Sequence, residues 1–178
     1  MNFSHRPLIE NDALPASQLD YKWFGEYGIT ESQLLEYIRK NPTDSIALLA
    51  NNILCGFATF ETLNNGSMPR DYVGIIPKTS KALFIQQFTT TTNYAKSDMS
   101  IDIELLKAIE SKAVEFNCEE VWEALATTHP YSETSNAKFD AFGFYEKYGY
   151  MYDSSNLLEW KPDPTINIPC YLFRKKLK

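Results

Sequence analysis

The stretch Phe144-Tyr145-Glu146-Lys147-Tyr148-Gly149-Tyr150 decides how this chain is expected to fold. It closes a segment with helical character that begins at Ser132. Gly149 suits the C-terminal cap of that helix, because glycine adopts the left-handed conformation in which many helices end. The residues beyond it, 150–160, predict a strand. This part of the chain therefore predicts a helix over 132–148 that turns directly into a strand.

A second stretch, Ile101-Asp102-Ile103-Glu104-Leu105-Leu106-Lys107-Ala108-Ile109-Glu110, lies about forty residues earlier. Its apolar side chains recur at steps of three and four, which predicts a helix over 101–116 with Ser100 as its N-cap. Strands are predicted before it, over 82–92, and after it, over 119–127. A strand–helix–strand unit of this length fits a right-handed parallel crossover. The expected sheet is therefore mixed.

The remaining elements surround this unit. A helical region over 20–39, broken near Gly28, carries a capping box in which Thr30 and Gln33 face each other. Strands over 45–50 and 53–63 predict a hairpin, and a last strand covers 168–176. Residues 1–19 are expected to be loosely ordered, and 64–81 and 161–164 to be loops. The predicted class is α/β, with a mixed, mostly antiparallel central sheet and flanking helices in a single domain over 1–178.

Composition excludes several classes of protein. The chain has 178 residues, with 44% hydrophobic and 14% aromatic side chains, so a folded core is expected rather than disorder. The formal net charge is −6, which argues against a nucleic-acid module and favours neutral or cationic partners. No apolar run predicts a signal peptide or a membrane span. Interaction with nucleic acid or membrane is not expected.

The cysteine pattern indicates the compartment. Cys55, Cys118 and Cys170 are odd in number and more than fifty residues apart, so neither a disulfide framework nor a zinc site is predicted. Three reduced, buried thiols are typical of a cytoplasmic protein. No other cluster predicts a metal site.

Together the two quoted stretches resemble those of the GNAT superfamily of N-acetyltransferases. Residues 144–150 are similar to its FYxKxGF signature, and residues 101–110 to the helix start GxGxxLLxxxE. The order of elements over 21–176 fits the same family, so the resemblance covers most of the chain. It implies a GNAT-like acyl-CoA N-acyltransferase fold, in which the parallel strand pair splays apart.

The resemblance also implies an activity. GNAT enzymes move an acetyl group from acetyl-CoA to a primary amine by direct attack in a ternary complex, without a metal. Tyr145 matches the tyrosine that commonly protonates the departing thiolate; the thiol pKa is about 8.5 and the phenol pKa about 10. Backbone amides over 88–91 correspond to those that polarise the thioester carbonyl. Acetyl-CoA is thus the expected cosubstrate.

This chain departs from the family in its diphosphate loop, because no glycine occurs between Gly74 and Gly143. Ser100 and Asp102 occupy the two glycine positions, and Asp102 is expected to place a carboxylate near the phosphates. Lys138 stands where the family often has asparagine. The residues predicted to contact the cofactor are Phe88, Thr89, Thr90, Thr91, Lys96, Ser97, Ser100, Ile101, Asp102, Asn136 and Lys138.

Glu123 is the predicted catalytic base, since family members often draw a base from a central strand. A solvated carboxylate facing outward is the competing interpretation. Glu61, at the end of the second predicted strand, has the same standing as Glu123. His129 follows a predicted strand, and its ordinary pKa of about 6.5 suits a base, but a loop histidine without a catalytic role is the competing interpretation.

Three interpretations remain open. The first is an acetyl-CoA-dependent N-acetyltransferase acting on a small-molecule or peptide amine, with the acidic balance favouring a cationic acceptor. The second is a non-catalytic GNAT-fold module that binds a ligand or protein. The third is an unrelated α/β fold. A homodimer is compatible with the first, because dimers are common in the family.

Overall fold

The computed structural model of the protein describes residues 2–78, 81–128 and 138–177. These residues cluster into two units. The first comprises Met1–Phe60, Gln87–Asn93 and Asp98–Ile109, and the second comprises Glu61–Gln86, Tyr94–Ser97 and Glu110–Lys178. Strands β3 (Ile53–Asn64) and β5 (Lys81–Thr90) and helix α3 (Ser100–Glu115) supply residues to both. No described helix is long and apolar enough to cross a membrane.

Unit 1 combines two helices with antiparallel strands. Its further elements are β1 (Phe3–Arg6), α1 (Ala13–Phe24), α2 (Glu31–Lys40) and β2 (Ser45–Ala50), with short 3-10 turns at Glu10–Asp12 and Gly25–Tyr27. Strand β2 pairs with β1 on one side and with β3 on the other, antiparallel in both cases. The predicted hairpin is therefore confirmed.

The start of α2 follows the local chemistry that the sequence predicts. Thr30 Oγ1 accepts a hydrogen bond from the Gln33 backbone N–H, and Gln33 Oε1 accepts one from the Thr30 N–H at 2.9 Å. This capping box satisfies two amides that the helix itself leaves without acceptors. The apolar side of α2, with Leu34 and Ile38, then packs in the core of unit 1 beside Ala13, Ala47 and Phe57.

Unit 2 contains the other strands and the last helix. They are β4 (Tyr72–Gly74), β6 (Glu120–Ala126), α4 (Ala141–Lys147), β7 (Met151–Tyr152), β8 (Leu158–Asp163) and β9 (Ile166–Lys176). The strand order within this unit is β5-β6-β9-β8-β4, and β7 also pairs with β9. Except for β5 with β6, these pairs are antiparallel. The predicted mixed, mostly antiparallel sheet is confirmed.

The parallel pair is short. Its ladder runs from Ala82 opposite Glu120 to Ile85 opposite Glu123. Strand β6 continues to Ala126, so it extends three residues beyond the last parallel pair. The end of this ladder places Glu123 where the pairing between the two strands stops.

Two features stabilise unit 2. One face of its sheet carries an apolar core that includes Phe84, Trp122 and Leu172. Glu120 lies on β6, the strand that carries Trp122, and is 2.8 Å from Arg174 on β9. Arg174 also pairs with Asp153 at 2.7 Å. The pKa of Asp153 is lowered to about 2, because hydrogen bonds from Ser155 and Arg174 outweigh the effect of its burial.

The structure differs from the sequence prediction in three regions of the chain. Residues 1–19, expected to be loose, form β1, a 3-10 turn and the start of α1, where Ala13 and Ala16 are fully buried. The loop predicted over 64–81 contains β4, which pairs with β8. The predicted strand over 150–160 is two strands, β7 and β8.

Candidate active site

Helix α4 carries Tyr145, and a tight cap fixes where this helix begins. Asp140 is the N-cap and accepts a hydrogen bond from the Gly143 N–H at 2.7 Å. A Cβ atom at position 143 would lie 2.5 Å from Asp140 Oδ2, so a larger residue there would force the capping carboxylate to move. The sequence predicts a helix over 132–148. Residues 138–140 are not helical and α4 begins at Ala141, while residues 132–137 lie outside the described part of the chain. Gly149 (φ 85°) follows the helix, as predicted.

Tyr145 is fully buried in unit 2 among other aromatic side chains. Its hydroxyl oxygen lies 2.9 Å from that of Tyr94. Its ring packs against Tyr150 and Phe173, with centroid distances of 5.2 and 5.6 Å. Burial raises the pKa of Tyr145 well above its usual value, and the nearby Glu123 carboxyl adds to the shift. Tyr145 therefore holds its proton throughout the physiological range.

Glu123 lies on the face of the unit 2 sheet against which Tyr145 packs. Its cross-strand partner on β9 is Phe173, the residue whose ring contacts Tyr145. Side chains of cross-strand partners point to the same face, so the carboxyl lies on the side of Tyr145. Only 7% of Glu123 is exposed, and its Oε2 has no hydrogen-bond partner among the described residues. The interpretation as a solvated outward carboxylate is wrong.

The protonation state of Glu123 follows from this environment. Burial raises its pKa well above the usual carboxyl value. A buried carboxylate without a cation beside it is costly, because low-dielectric surroundings disfavour the charge. Glu123 is therefore protonated over part of the pH range in which an ordinary glutamate is ionised. It can accept a proton only after it has lost its own.

The threonines at the end of β5 make internal hydrogen bonds within unit 1. Thr89 donates its hydroxyl proton to Asp20 Oδ1, and the Trp23 indole donates to the Thr90 carbonyl at 2.9 Å. The Thr91 N–H donates to the Cys55 carbonyl at 2.8 Å. That amide is engaged in the sheet, so Thr91 does not offer it to a thioester carbonyl in this conformation.

Asp102 does not behave as its motif position suggests. It is fully buried in the first turn of α3, and its two oxygens accept hydrogen bonds from Thr90 and Thr92 hydroxyls at 2.7 Å each. The backbone N–H of Asn93 donates to Thr90 Oγ1 at 2.7 Å. The carboxylate therefore ties the end of β5 to α3, and its charge is partly compensated by hydroxyl donors.

The N-terminal end of α3 binds an anionic oxygen within the chain itself. The Ser100 N–H donates to Asp98 Oδ1 at 2.9 Å, and this bond lowers the pKa of Asp98. Asp98 and Ser100 are exposed, whereas Ile101 is buried. Helix N-termini favour anions, because their first amides lack acceptors and the helix dipole is positive there. The arrangement suits a phosphate that displaces the Asp98 carboxylate.

The basic residues predicted to contact phosphate lie together in unit 2. Lys96 Nζ is 3.7 Å from Asp140 Oδ2, and the Lys96 N–H donates to the Lys138 carbonyl at 3.1 Å. Lys138 Nζ lies over the Phe139 ring. Ser97 is exposed beside them. Asn136 and His129 lie outside the described residues.

Glu61, the competing base, has other partners. Its Oε1 accepts hydrogen bonds from Gln86 Nε2 at 3.0 Å and from the Arg70 N–H at 2.6 Å. Both partners belong to unit 2, as does Glu61. These bonds hold the Glu61 side chain in place and give it a structural role.

Sequence reasoning missed three residues that shape the site. Asp20 and Trp23 lie on α1 and bind the end of β5, and Tyr94 contacts Tyr145. Asp20 is fully buried, and burial raises its pKa to about 6 in spite of hydrogen bonds from Thr89 and Ile29. A polar residue buried on an amphipathic helix gives no periodicity signal, and Tyr94 lies in a polar loop segment.

Known proteins of similar structure share this fold. Ard1 from Thermoplasma volcanium is 15% identical over 100% of this chain and 99% of its own, with a TM-score of 0.67. PaiA N-acetyltransferase from Thermoplasma acidophilum, solved with coenzyme A, is 15% identical over 99% and 100% of the two chains, with a TM-score of 0.60. The GphF GNAT-like decarboxylase, solved with isobutyryl-CoA, is 11% identical over 98% and 100%, with a TM-score of 0.70.

Comparison by sequence adds nothing to this. No protein-family model matches the chain, and no curated protein matches it. At 11–15% identity, the structural likeness establishes the fold, which is that of the GNAT N-acetyltransferases. The interpretation as an unrelated α/β fold is therefore wrong.

Proposed function

We propose that the protein is an acyl-CoA-dependent N-acyltransferase that moves an acetyl group from acetyl-CoA to a primary amine. The observation that carries this proposal is the placement of Tyr145 and Glu123 on one face of the unit 2 sheet, both buried, where the parallel ladder ends. A proton donor and a proton acceptor in one apolar environment are what transfer between a thioester and an amine needs. The shared fold with N-acetyltransferases supports the same assignment.

Tyr145 is the proposed general acid. As the amine nitrogen bonds to the acetyl carbon, the carbon–sulfur bond breaks and the sulfur leaves as a thiolate. Tyr145 donates its hydroxyl proton to that sulfur. The nitrogen, positively charged after the attack, releases its second proton to solvent to give the neutral amide, and Tyr145 regains a proton from solvent. Its raised pKa keeps the phenol protonated before the reaction. The same shift makes proton donation harder, so Tyr145 needs a partner that stabilises its phenolate.

Glu123 is the proposed general base. In its ionised form, it takes one proton from the ammonium group of the acceptor, directly or through one water, and leaves a nucleophilic amine. Because burial raises the pKa of Glu123, this form gains population as pH rises. The rate of acetyl transfer is therefore expected to increase with pH as Glu123 ionises. A Glu123→Gln variant loses this dependence.

Acetyl-CoA supplies the activated acyl group, and the residues present at the start of α3 fit its diphosphate. The Ser100 N–H already bonds a carboxylate oxygen there, and the side chain that supplies this oxygen, Asp98, is exposed and free to move aside. Lys96, Ser97, Asn136 and Lys138 are further residues proposed to contact the cofactor. A second group is proposed to shape the end of β5 and the start of α3, and all of its members except Thr91 are buried: Phe88, Thr89, Thr90, Thr91, Ile101 and Asp102. Of these, Asp102 contributes by fixing the end of β5 to α3, not by touching phosphate.

The acceptor is proposed to be a small-molecule or peptide amine. The net charge of −6 favours approach of a cation. A cationic ammonium group also matches the reaction, because the base must remove a proton from it. A cytoplasmic location is proposed from the three buried free thiols.

A second candidate is a non-catalytic module that binds a ligand or protein. It is favoured by the polar groups at the end of β5, where the Thr90 carbonyl, the Thr91 N–H and the Asp102 carboxylate already have partners within unit 1. A site that satisfies its own polar groups gains less from a cofactor than one that leaves them open.

Two measurements separate these candidates. Thermal unfolding is followed with and without acetyl-CoA, and free thiol release is followed across a panel of polyamines, aminoglycosides and peptide amines. An enzyme is stabilised by acetyl-CoA and releases thiol only with particular amines. No stabilisation at millimolar acetyl-CoA favours the module, which binds another ligand or a protein. Stabilisation without thiol release from any amine contradicts transfer to the amines of the panel.

A further inference from the structure

Tyr94 reaches Tyr145 from a different part of unit 2. Segment 94–96 runs beside residues 138–140, just before α4. The Tyr94 carbonyl accepts from the Asp140 N–H at 3.1 Å, and Ala95 and Phe139 form a β-bridge. These backbone bonds fix Tyr94 against the helix that carries Tyr145. The backbone from which the Tyr94 side chain reaches the Tyr145 hydroxyl is therefore fixed relative to α4.

The Tyr94 conformation is costly, which indicates that its placement matters. Its φ of 63° lies in the left-handed region, which a bulky side chain rarely adopts. The residue is nevertheless 3% exposed, and its ring packs against Phe144 and Tyr145, with centroid distances of 5.2 and 5.8 Å. The surrounding contacts hold the strained residue in this position.

The two hydroxyls form one hydrogen bond, at 2.9 Å, in which either oxygen can donate. When Tyr145 donates to Tyr94, the bond favours the neutral form of Tyr145. When Tyr145 turns its proton to another acceptor, Tyr94 donates to the Tyr145 oxygen instead. In that second arrangement, the bond favours the phenolate, since a hydrogen bond to an ionised group is stronger than one to a neutral group.

We propose that Tyr94 is a positioning residue that donates a hydrogen bond to the Tyr145 oxygen as Tyr145 releases its proton. This inference rests on the proposed function, in which Tyr145 protonates a thiolate. Proton balance is simple: the Tyr145 proton goes to sulfur, and the Tyr94 proton stays on Tyr94 in a bond to the phenolate oxygen. Tyr94 thereby offsets part of the penalty that burial imposes on the ionised Tyr145.

The titratable groups that act on Tyr145 among the described residues are Glu123, Tyr94 and Tyr150, and all three raise its pKa. For Tyr94, this describes the first arrangement, in which Tyr145 donates to it and the bond favours the neutral phenol. A negative carboxylate opposes a second negative charge on the phenol. Lys175 Nζ lies 5.5 Å from the Tyr150 ring centroid and pairs with Glu110 at 2.8 Å, so its charge is directed to that carboxylate.

The first test needs no catalytic activity. A fluorinated tyrosine, whose phenol is more acidic, is placed at position 145 in the full chain, and its ionisation is followed by fluorine NMR against pH. We expect Tyr94→Phe to raise the midpoint by about one to two pH units, as expected for a lost bond to a charged group. A midpoint that is unchanged or lowered would overturn the proposal.

Tyr148→Phe is the matched control, because the Tyr148 ring also packs on Phe144, at 5.0 Å. It should leave the midpoint of the label at position 145 unchanged, and an equal shift in both variants would contradict a specific role for Tyr94. The melting temperature of each variant shows that it is folded.

The second test uses acetyl-CoA and an active amine. We expect Tyr94→Phe to lower kcat about tenfold or more and to leave KM for acetyl-CoA unchanged. A raised KM with unchanged kcat would contradict the role. If the unmodified protein transfers no acetyl group to any amine, the proposed function fails, whereas the NMR midpoint still decides whether Tyr94 donates to Tyr145.

Discussion

The Thr90 hydroxyl donates to Asp102 Oδ1 at 2.7 Å, and this bond closes the end of β5 onto the first turn of α3. Both residues are fully buried. In the family that this chain resembles, glycines let the backbone come close to phosphate at this turn. Here a carboxylate and two threonine hydroxyls occupy the corresponding turn and satisfy one another. The glycine-free loop is thus held by hydrogen bonds between side chains.

Removing the donor of that bond should destabilise unit 1. Thr90→Val keeps the shape of the side chain but removes the hydroxyl that donates to Asp102 Oδ1 and accepts from the Asn93 N–H, and we expect a loss of about 1–3 kcal/mol in the free energy of unfolding. Thr91→Val is the control, since Thr91 is exposed, and should change it by about 0.5 kcal/mol or less. Urea unfolding measures both. Equal effects in the two variants would show that the Thr90–Asp102 bond contributes nothing.

Asp20 gives a pH dependence of stability. Its pKa is about 6 in the folded chain, because burial raises it from the ordinary aspartate value of 3.8. The folded state therefore binds this proton more tightly than the unfolded state. The stabilisation is complete below about pH 4 and is lost as pH rises through about 6, by about 3 kcal/mol in total.

This dependence is isolated by comparison with Asp20→Asn. Glu123 shifts in the same direction, so only the difference between the two proteins reports on Asp20. We expect the free energy of unfolding of the unmodified protein to fall, relative to Asp20→Asn, between pH 4 and pH 7. Parallel curves would mean that Asp20 is not raised. Denaturant titrations at several pH values supply the data.

Much of this architecture is predictable because it depends on local patterns. The capping box at Thr30, the strand at 45–50 and the end of α4 at Gly149 all follow from side-chain chemistry within a few residues. The candidate acid and base are likewise identified by position in a strand or a helix end. Their burial is not local, and only the structure shows that Glu123 faces inward.

The residues that the sequence does not predict depend on long-range contacts. Asp20 meets Thr89 across 69 positions of the chain, and Tyr94 meets Tyr145 across 51. A carboxylate on α1 or a tyrosine in a loop carries no periodicity that indicates such partners. The predicted position of Asp102 beside phosphate was inferred from register alone, and register does not reveal that two threonine hydroxyls bind its oxygens.

Asp98 should compete with the cofactor. Its carboxylate occupies the Ser100 N–H at the start of α3, where a phosphate is proposed to bind. Asp98→Asn removes one negative charge there, so we expect coenzyme A to bind about fivefold more tightly. Isothermal titration calorimetry measures the affinity.

The control for Asp98 lies at the opposite end of the same helix. Glu115→Gln makes the same charge change at an exposed residue, and it should leave the affinity for coenzyme A unchanged. If both variants bind coenzyme A equally well, the start of α3 does not hold the diphosphate. A gain confined to Asp98→Asn places an anionic part of the ligand at Ser100.

Arg174 should contribute far more to stability than Arg39, which also forms an ion pair. It bridges Glu120 and Asp153, whose side chains are 6% and 13% exposed. Arg174→Met leaves both carboxylates without their cation, and we expect a loss of about 3–5 kcal/mol in the free energy of unfolding. Arg39→Met breaks the exposed pair with Glu10 and should cost much less, because solvent screens that pair. Similar losses in guanidinium unfolding would contradict this ranking.

The role of Tyr145 as general acid is tested most directly by the rate of thiol release in Tyr145→Phe. Acetyl-CoA is held at saturation with the best amine of the panel, and the unmodified protein and Tyr148→Phe serve as references. If Tyr145 protonates the departing thiolate, kcat falls about a hundredfold or more in Tyr145→Phe, with coenzyme A affinity unchanged, and stays near the reference value in Tyr148→Phe. An undiminished kcat in Tyr145→Phe would contradict the account.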